Sequence, residues 1–271
     1  MMRWADLDNL LPSRSTPPED PDGRIPTLRD ERGTTDQSTA RDRPQDRPRV
    51  WIVVPAYNEA SRIGATLQDL LSVYQEIVVV DDGSTDETSN VTLHYPVWLV
   101  RHLFNCGQGA ALQTGIEFAL RQGADIVVSF DADGQHRSDD IARLVEPVAN
   151  GSVDVCLGSR FLLQSCPGIP IGRWILLRLA VYFTRLTSCL KVTDTHNGLR
   201  ALSRAAAQSL RIQQSRMAHA SEILANIRKY GWRYCEVPVT VLYRQDTLRK
   251  GQNDWDALEI LAQLLAGRFL K

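Results

Sequence analysis

Three short apolar runs that end abruptly in polar residues constrain the fold of this 271-residue chain more than any other feature. The runs cover Val50–Val54, Ile77–Val80 and Ile126–Phe130, and each is followed by a segment with helical periodicity. Near-continuous Val and Ile runs that alternate with helices are typical of parallel strands buried on both faces. The sequence therefore predicts an α/β fold with a mostly parallel central sheet flanked by helices. The polar strand ends are expected to share one edge of this sheet.

The same pattern can be followed along the rest of the chain. Strands are predicted near residues 50–54, 77–80, 97–101, 125–130, 153–157 and 234–242. Helices are predicted near residues 59–73, 85–92, 108–122, 138–149, 171–190, 217–230 and 254–270. The segment 171–190 is about long enough to span a membrane, but three arginines interrupt it. We expect an amphipathic helix there, which either packs on the core or lies at a membrane surface.

The most informative strand end reads Ser-Phe-Asp-Ala-Asp-Gly-Gln-His-Arg, from Ser129 to Arg137. Side-chain direction alternates in an extended chain, so Asp131 and Asp133 are expected to point to the same side. Two oxygen ligands without a further cage of carboxylates suit Mg²⁺ or Mn²⁺, whose other positions go to water and phosphate. The alternative is a solvated turn, because Asp and Gly also punctuate loops.

Residues 1–48 are predicted to be a disordered tail, and residues 49–271 a single folded domain. The tail contains seven of the 13 prolines and almost no apolar run, so it cannot bury enough surface to offset its ordering entropy. It has no apolar region typical of a signal peptide. The five cysteines are widely spaced and form no Cys-x-x-Cys pair. These features predict reduced thiols and a cytoplasmic location.

The net charge of -1 hides a strong asymmetry between the two halves of the predicted domain. Residues 49–170 carry 15 acidic and 7 basic residues, whereas residues 171–271 carry 7 acidic and 16 basic residues. An acidic half suits metal binding, and a basic half suits an anionic partner. No nucleic-acid-binding module accompanies the basic charge, so a phosphate-bearing acceptor or an anionic membrane surface is favoured over nucleic acid. Ordinary solvated helix faces are the alternative explanation.

Seven motifs, in order along residues 50–252, resemble those of the family 2 glycosyltransferases. The motifs are Val54–Glu59, Val80–Asp86, Asn105–Leu112, Asp131–His136, Gly158–Arg160, Asp194–Arg200 and Glu236–Pro238. Within this family the chain resembles the dolichyl- or polyprenyl-phosphate sugar transferases. The resemblance implies a GT-A fold and a metal-dependent inverting glycosyltransferase. Such an enzyme would move a sugar from a UDP- or GDP-sugar to a polyprenyl phosphate or a cell-envelope saccharide.

The resemblance also implies a donor site. Its nucleotide-binding residues would be Pro55, Ala56, Tyr57, Glu59, Asp82, Gly107, Gln108, Asp131 and Ala132. Tyr57 would offer a ring face, Glu59 a carboxylate for ribose hydroxyls, and Asp82 an acceptor for the base. Many relatives have Lys where this chain has Gln108, which removes one cation near the donor. The implied ligands of Mg²⁺ or Mn²⁺ are Asp133 and Gln135, and His136 is a further candidate.

The acceptor site depends on the acceptor's chemistry. A sugar hydroxyl needs a general base, for which Asp194 is the candidate, with His196 behind it. A lipid phosphate is already ionised and needs no base. The residues that would then hold the phosphate are Arg160, Arg200 and Arg173. Arg244 and Lys250 are expected in a mobile loop that closes over the diphosphate. The implied catalytic residues are Asp131, Asp133, Asp194 and Arg200, and peripheral contact with the inner face of a membrane would follow from a lipid acceptor.

Other classes of protein are weighed against this resemblance. A sugar nucleotidyltransferase would have a Gly-rich, Arg-containing loop at Pro55–Glu59, which this chain lacks. A dinucleotide dehydrogenase would need Gly-x-Gly-x-x-Gly after its first strand, whereas Gly107–Leu112 lacks the third glycine and lies elsewhere. A catalytically retired transferase-like scaffold or regulatory subunit is the alternative that the sequence leaves open. Gln108 favours it, and the intact acidic motifs argue against it.

Overall fold

A computed structural model of the chain describes residues 48–162, 190–195, 197–212 and 218–242. Several predictions fall outside the described residues: the tail up to residue 47, the helix predicted over 171–190 except for Leu190, the helix predicted over 254–270, and the loop with Arg244 and Lys250. All described residues belong to one compact unit. Among them, no helix has the length and apolar character that a membrane span requires.

Seven strands of the described chain form one mixed sheet. They are β1 (Val50–Ala56), β2 (Ile77–Asp81), β3 (Trp98–Arg101), β4 (Ile126–Ser129), β5 (Val155–Ser159), β6 (Arg200–Ser203) and β7 (Tyr234–Pro238). Their order across the sheet is β3-β2-β1-β4-β6-β5-β7. All pairings are parallel except those of β6, which runs antiparallel to both β4 and β5. The prediction of a mostly parallel central sheet is confirmed.

Helices cover both faces of this sheet. The described helices are α1 (Ala60–Leu71), α2 (Thr88–Thr92), α3 (Gln108–Arg121), α4 (Ile141–Ala149), α5 (Arg204–Ser209) and α6 (Ala218–Tyr230). Ile52 and Val54 share a core with residues of α1 and α4, whereas Trp51 and Val53 share the opposite core with residues of α3, α5 and α6. Because successive residues of β1 enter different cores, both must be apolar. This explains why the strand is an unbroken apolar run.

Gly115 allows α3 to lie close against the sheet. A Cβ atom at this position would overlap the Val53 side chain and would lie 3.1 Å from Val80 Cγ2. Any side chain here would therefore push α3 away from β1 and β2. The position of α3 matters because the helix begins at Gln108, beside the polar edge of the sheet.

Several predicted element boundaries are corrected by the structure, including the strand predicted over 153–157, which is observed over Val155–Ser159, and two elements were missed. The missed pair is β6 and α5, which together span only ten residues and carry too short an apolar pattern to be recognised. The strand predicted over 234–242 ends at Pro238, which lacks the N–H that a sheet ladder needs. The helix predicted from residue 85 begins at Thr88, and the one predicted from 138 opens with a 3₁₀ turn over Ser138–Asp140.

The carboxyl ends of β2, β1 and β4 lie side by side. Pro55 and Ala56 at the end of β1 pair with Val80 and Asp81 of β2, and β4 continues the parallel arrangement on the other side of β1. The predicted sharing of one edge by the three polar strand ends is therefore confirmed. The candidate site is built on this edge.

Candidate active site

The loops that follow β1 and β2 are hydrogen-bonded to each other. The Asn58 amide donates to Ser84 Oγ at 3.0 Å, and the Thr85 amide donates back to Asn58 Oδ1 at 2.9 Å. The Glu59 amide donates to Thr88 Oγ1 at 2.8 Å. Asn58 has a φ of 54°, a left-handed conformation that Asn adopts more readily than most residues. The two motifs therefore form one rigid unit, and much of their polar composition serves this contact.

The residues predicted to line the nucleoside pocket divide into two kinds. Pro55 and Ala56 are buried at the end of β1, whereas the Tyr57 side chain is 44% exposed. The Glu59 carboxylate is partly exposed and accepts a bond from Arg62 NH1 at 3.2 Å. Tyr57 and Glu59 thus present a ring and a carboxylate at the edge of the sheet. Their roles in nucleotide binding stay predictions.

Asp82 holds the loop between β3 and α3. Its carboxylate accepts the Cys106 amide at 2.9 Å and the Gly107 amide at 2.7 Å. His102 Nδ1 lies 2.7 Å from Asp82 Oδ1, and His102 Nε2 lies 3.0 Å from Thr114 Oγ1 on α3. The ligand atoms of Asp82, His102 and Cys106 all lie within 4.8 Å of one another, a spacing that a metal ion could use. Because the oxygens of Asp82 already accept backbone amides, we interpret this group as a clamp on the loop.

This clamp bears on the prediction that Asp82 contacts the base. Asp82 is 2% exposed, and both of its carboxylate oxygens accept hydrogen bonds from the protein. The clamp instead fixes Gly107, whose φ of 94° marks the start of α3. A direct contact of Asp82 with the base stays a prediction, and the observed contacts are with the loop.

Asp131 is surrounded by polar groups and by one glycine. Gln108 Nε2 donates to its Oδ1 at 3.2 Å, and His136 Nε2 lies 3.3 Å from its Oδ2. A Cβ atom on Gly198 would overlap the Asp131 carboxylate, so this position requires a residue without a side chain. Gln108 therefore reaches the acidic site, but as a neutral donor where many relatives are expected to carry a cation.

Asp133 lies in a turn rather than in an extended strand. β4 ends at Ser129, and Gly134 has a left-handed φ of 69°. The expectation that strand alternation aligns Asp131 with Asp133 is therefore wrong. The turn nevertheless brings them together: burial first, and then the Asp131 charge, raise the pKa of Asp133 to about 6. The Gln135 amide donates to Asp133 Oδ1 at 3.0 Å and opposes this rise.

The cluster around Asp133 has the character of a cation site. The Glu59 carboxylate also raises the pKa of Asp133, so three acidic side chains from two loops act on one another. Like charges held together in the folded state favour binding of a cation. Carboxylate oxygens are the ligands that Mg²⁺ and Mn²⁺ prefer. The residues present thus fit a divalent ion. That the Gln135 side chain is a further ligand of this ion stays a prediction.

The ion-paired cluster comprises Arg160 and Asp194, which form an ion pair, and Arg200, which interacts through its charge with Asp194 and Asp131. Arg160 Nε donates to Asp194 Oδ2 at 2.6 Å, and the Arg160 amide donates to the same oxygen at 3.2 Å. Arg200 begins β6 and is buried, which lowers its pKa to about 10, while Asp131 and Asp194 oppose this decrease. The Asp194 side chain is only 1% exposed. Arg160, a predicted acceptor residue, and Asp194, the predicted base, are therefore paired with each other.

Glu236 positions the segment that carries Asp194. Its carboxylate accepts the Thr193 amide at 2.8 Å, the Asp194 amide at 3.2 Å and the Thr193 hydroxyl at 3.0 Å. Burial raises the pKa of Glu236, and the bonds from Thr193 and Asp194 oppose this rise. Sequence reasoning gave Glu236 no role, although it lies in one of the recognised motifs.

Comparison with known proteins gives the family. The family model described as glycosyl transferase family 2 matches residues 51–211, which include both acidic loops and the ion-paired cluster. The chain is a family 2 glycosyltransferase.

Relatives extend the similarity over most of the chain. UDP-N-acetylglucosamine–dolichyl-phosphate N-acetylglucosaminyltransferase of Methanococcus voltae is 32% identical over 80% of this chain and 94% of its own length. Polyprenol monophosphomannose synthase of Mycolicibacterium smegmatis is 26% identical over 85% of this chain and 93% of its own length. Both names belong to the branch of the family that the motifs of this glycosyltransferase suggested.

Solved structures confirm the fold. A crystal structure of glucosyl-3-phosphoglycerate synthase from Mycobacterium tuberculosis with Mn²⁺, UDP and glucosyl-3-phosphoglycerate has a TM-score of 0.61. It is 19% identical and covers 81% of this chain and 79% of its own. The family 2 glycosyltransferase thus has the GT-A fold that the resemblance implied.

Sequence reasoning missed two residues that organise the site of this glycosyltransferase. Gly198 makes room for the Asp131 carboxylate, and Glu236 holds the Thr193–Asp194 backbone. Both lie in motifs that could have indicated them, but their contacts join segments 42 to 67 positions apart in the chain. Ala132 is buried, and its carbonyl accepts the Thr66 hydroxyl at 3.2 Å. The other predicted site residues, Arg173, His196, Arg244 and Lys250, lie outside the described residues.

Proposed function

We propose that this glycosyltransferase moves a sugar from a UDP- or GDP-sugar to a polyprenyl phosphate, with a divalent cation bound at Asp131 and Asp133. The observation that carries the choice of acceptor is the burial of Asp194 and its ion pair with Arg160. Two relatives support the same class of acceptor, since one is named for transfer to dolichyl phosphate and the other for synthesis of polyprenol monophosphomannose. The sugar itself is left open, because those names specify different sugars.

Donor binding is assigned to Tyr57, Glu59 and the loop that Asp82 holds. The exposed Tyr57 ring suits stacking on a nucleobase, and the Glu59 carboxylate suits acceptance of bonds from ribose hydroxyls. The loop ends at Gly107, where α3 begins with free backbone amides. Amides at the start of a helix favour a phosphate group. The donor would therefore lie along the ends of β2, β1 and β4.

The cation would be held by Asp133 and Asp131. In the metal-free protein, burial first and then the charge of Asp131 disfavour ionisation of Asp133 and raise its pKa. When bound, a divalent ion would neutralise the negative charge that grows on the departing diphosphate. Gln108 donates a neutral hydrogen bond to Asp131 and so orients that carboxylate without cancelling its charge.

The surroundings of Asp194 favour an acceptor that needs no general base. A base for a sugar hydroxyl must have a free lone pair within hydrogen-bond reach of the acceptor. The Asp194 carboxylate is buried and accepts two bonds from Arg160, with Arg200 close by. Such a carboxylate is better suited to holding the arginines in place. Arginine side chains held in this way suit binding of the acceptor phosphate, which is already ionised before it reacts.

The proposed reaction is a single displacement. An oxygen of the acceptor phosphate attacks the anomeric carbon on the side opposite the diphosphate. The bond from that carbon to the diphosphate oxygen breaks, the nucleoside diphosphate leaves, and the anomeric configuration inverts. No proton has to be removed from the attacking oxygen. Arg160 and Arg200 would lower the free energy of bringing two anionic substrates together.

The test is a transfer assay with the full-length chain and two kinds of acceptor. Radiolabelled UDP- and GDP-sugars are offered with dolichyl phosphate in detergent or with a soluble oligosaccharide, and the Asp194→Asn variant is compared with the wild type. Transfer to the lipid phosphate is expected, with at most an approximately tenfold loss in the variant. Loss of a general base would instead cost about 10² to 10⁴ in rate. Asp154→Asn is the matched control, because Asp154 pairs with Arg233 on the surface.

Two results would contradict the proposal. One is glycosylation of the oligosaccharide alone together with complete loss in Asp194→Asn, which would identify a saccharide-extending enzyme. The other is donor binding without transfer to any acceptor, as expected of a retired transferase. Thermal unfolding of Asp194→Asn must match that of the wild type within a few degrees, because the substitution leaves Arg160 partly unpaired.

A further inference from the structure

Two cysteines on neighbouring strands lie in contact, away from the residues assigned to the reaction. Cys156 on β5 and Cys235 on β7 are direct partners in the parallel register of the two strands. Their sulfur atoms lie 3.4 Å apart. Cys156 belongs to the core that includes residues of α1 and α4, and Cys235 packs against this core. Cys156 is fully buried, whereas Cys235 is partly exposed.

The strand register already provides the spacing that a disulfide needs. Neighbouring strands are about 4.8 Å apart, and the Cα atoms of disulfide-bonded cysteines are usually about 4.4 to 6.8 Å apart. A disulfide has a sulfur–sulfur bond of about 2.05 Å, so the two sulfurs must approach by roughly 1.4 Å. Rotation of the side chains can supply much of this movement without a change in strand pairing.

We propose that Cys156 and Cys235 are a site of reversible disulfide formation, with a small-molecule disulfide such as oxidised glutathione as the oxidant. The Cys235 thiolate attacks the oxidant, and one thiolate of glutathione leaves. The Cys156 thiolate then attacks Cys235 Sγ in this mixed disulfide and displaces the second glutathione thiolate. Two protein thiols are oxidised to one disulfide, and one oxidised glutathione is reduced to two molecules of glutathione.

The different burial of the two cysteines decides the order of these steps. Cys235 is partly exposed and can meet a solute, whereas the fully buried Cys156 can react only with its neighbour. Burial also raises the pKa of the Cys156 thiol, so the second step is expected to accelerate as the pH rises. The disulfide would form one residue before Glu236, which holds the Thr193 and Asp194 amides.

The sequence makes the product straightforward to identify. Trypsin places each of the five cysteines in a different peptide. Cys156 falls in the peptide 144–160, Cys235 in 234–244 and Cys106 in 102–121. The full-length folded protein is incubated with oxidised glutathione at pH 8.5, quenched with acid, alkylated and digested without reduction. Mass spectrometry is expected to find peptide 144–160 linked to peptide 234–244 as the main intramolecular product.

Variants separate the two steps. Cys156→Ser should accumulate the glutathione adduct on Cys235, and Cys235→Ser should leave Cys156 unmodified. Cys106→Ser is the matched control and should form the cross-link as the wild type does, because Cys106 lies on the loop after β3 with its thiol on the Phe104 carbonyl. The same treatment in denaturant should give mixed pairings, which would show that the fold selects the pair.

Two results would overturn the proposal. One is a wild-type protein in which Cys235 remains as a glutathione adduct while Cys156 stays open to alkylation after denaturation. The other is a protein in which Cys106 is fully modified while both Cys156 and Cys235 remain thiols. Neither result bears on the proposed transferase reaction, which the acceptor assay tests separately.

Discussion

Two neighbouring clusters at the same edge of the sheet differ in the signs of the charges that they bring together. The acidic cluster comprises Glu59, Asp131 and Asp133 from two loops, and burial together with the charges of Asp131 and Glu59 raises the pKa of Asp133 to about 6. In the ion-paired cluster, Arg160 donates to Asp194 at 2.6 Å, and the charge of Asp194 acts on the buried Arg200. The first arrangement keeps like charges together, and the second balances opposite ones.

This difference shows which cluster is suited to binding and which to positioning. Like charges in a folded site reduce stability, and such sites are often kept because a ligand relieves the repulsion. A buried, balanced ion pair fixes geometry, and removal of one partner is costly because it leaves a charge unpaired. We therefore interpret the acidic cluster as the place where a cation and diphosphate enter. The ion-paired cluster is interpreted as a preformed surface for the acceptor.

Removal of an acidic charge should have the largest effect on activity. Asp133→Asn is expected to lower the transfer rate by about 10² or more, since it removes a ligand of the proposed ion and a term that stabilises the departing diphosphate. Steady-state transfer kinetics at saturating Mn²⁺ measure this loss. Asp139→Asn is the control, because Asp139 pairs with Arg137 on the surface nearby. Wild-type rates in Asp133→Asn would remove Asp133 from the site.

Loss of space beside Asp131 should have the next largest effect. In Gly198→Ala, the new Cβ atom would overlap the Asp131 carboxylate, so one of the two clusters must shift. Transfer is expected to fall by about 10-fold to 100-fold, with donor binding weakened in calorimetry. Gly151→Ala serves as a comparison, because a Cβ there meets no atom within 4 Å, although its φ of 72° adds some backbone strain. Equal activity of the two variants would contradict the role of Gly198.

Addition of a cation to the acidic cluster should have a smaller effect. Gln108→Lys would bring an ammonium group to the carboxylate that now accepts from Gln108 Nε2. The apparent affinity for Mn²⁺ is expected to fall severalfold in titration calorimetry, because the ammonium group competes for the same negative charge. Gln68→Lys adds the same charge at an exposed position on α1 and is the control. Unchanged Mn²⁺ affinity in Gln108→Lys would show that Gln108 does not contribute to this electrostatic balance.

The smallest expected effect is on the stability of the metal-free protein. The pKa of Asp133 is about 6 in the folded protein and near 3.8 in the unfolded chain. Between these two pH values, the folded state therefore binds more protons than the unfolded state. Stability should therefore fall as the pH rises from about 4 to about 7, through the folded-state pKa, and this contribution should be constant at higher pH. Denaturant unfolding in EDTA should show a decrease of order 1 kcal/mol that Asp133→Asn lacks. Parallel stability curves for the two proteins would contradict the like-charge interpretation.

The strands, the polar edge of the sheet and the family could all be predicted from local patterns in the sequence. Unbroken apolar runs such as Ile77–Val80 predicted strands buried on both faces, and the polar residues that follow them predicted the edge that carries the site. The ordered motifs predicted the family and the GT-A fold. These features could be read directly because hydrophobic periodicity and turn chemistry act over a few neighbouring residues.

The three-dimensional contacts were needed to distinguish polar side chains that stabilise the fold from those that are available for ligand binding. Asp82, Asn58 and Asp194 occur in motifs much like that of Asp133, yet their oxygens accept bonds from loops or arginines distant in sequence. The antiparallel β6 pairs Arg200 with Ser129 of β4, although the two residues are 71 positions apart in the chain. Hydrogen bonds and charge interactions depend on distance in space. The sequence therefore could not distinguish the clamp at Asp82 from the repulsive pair at Asp131 and Asp133.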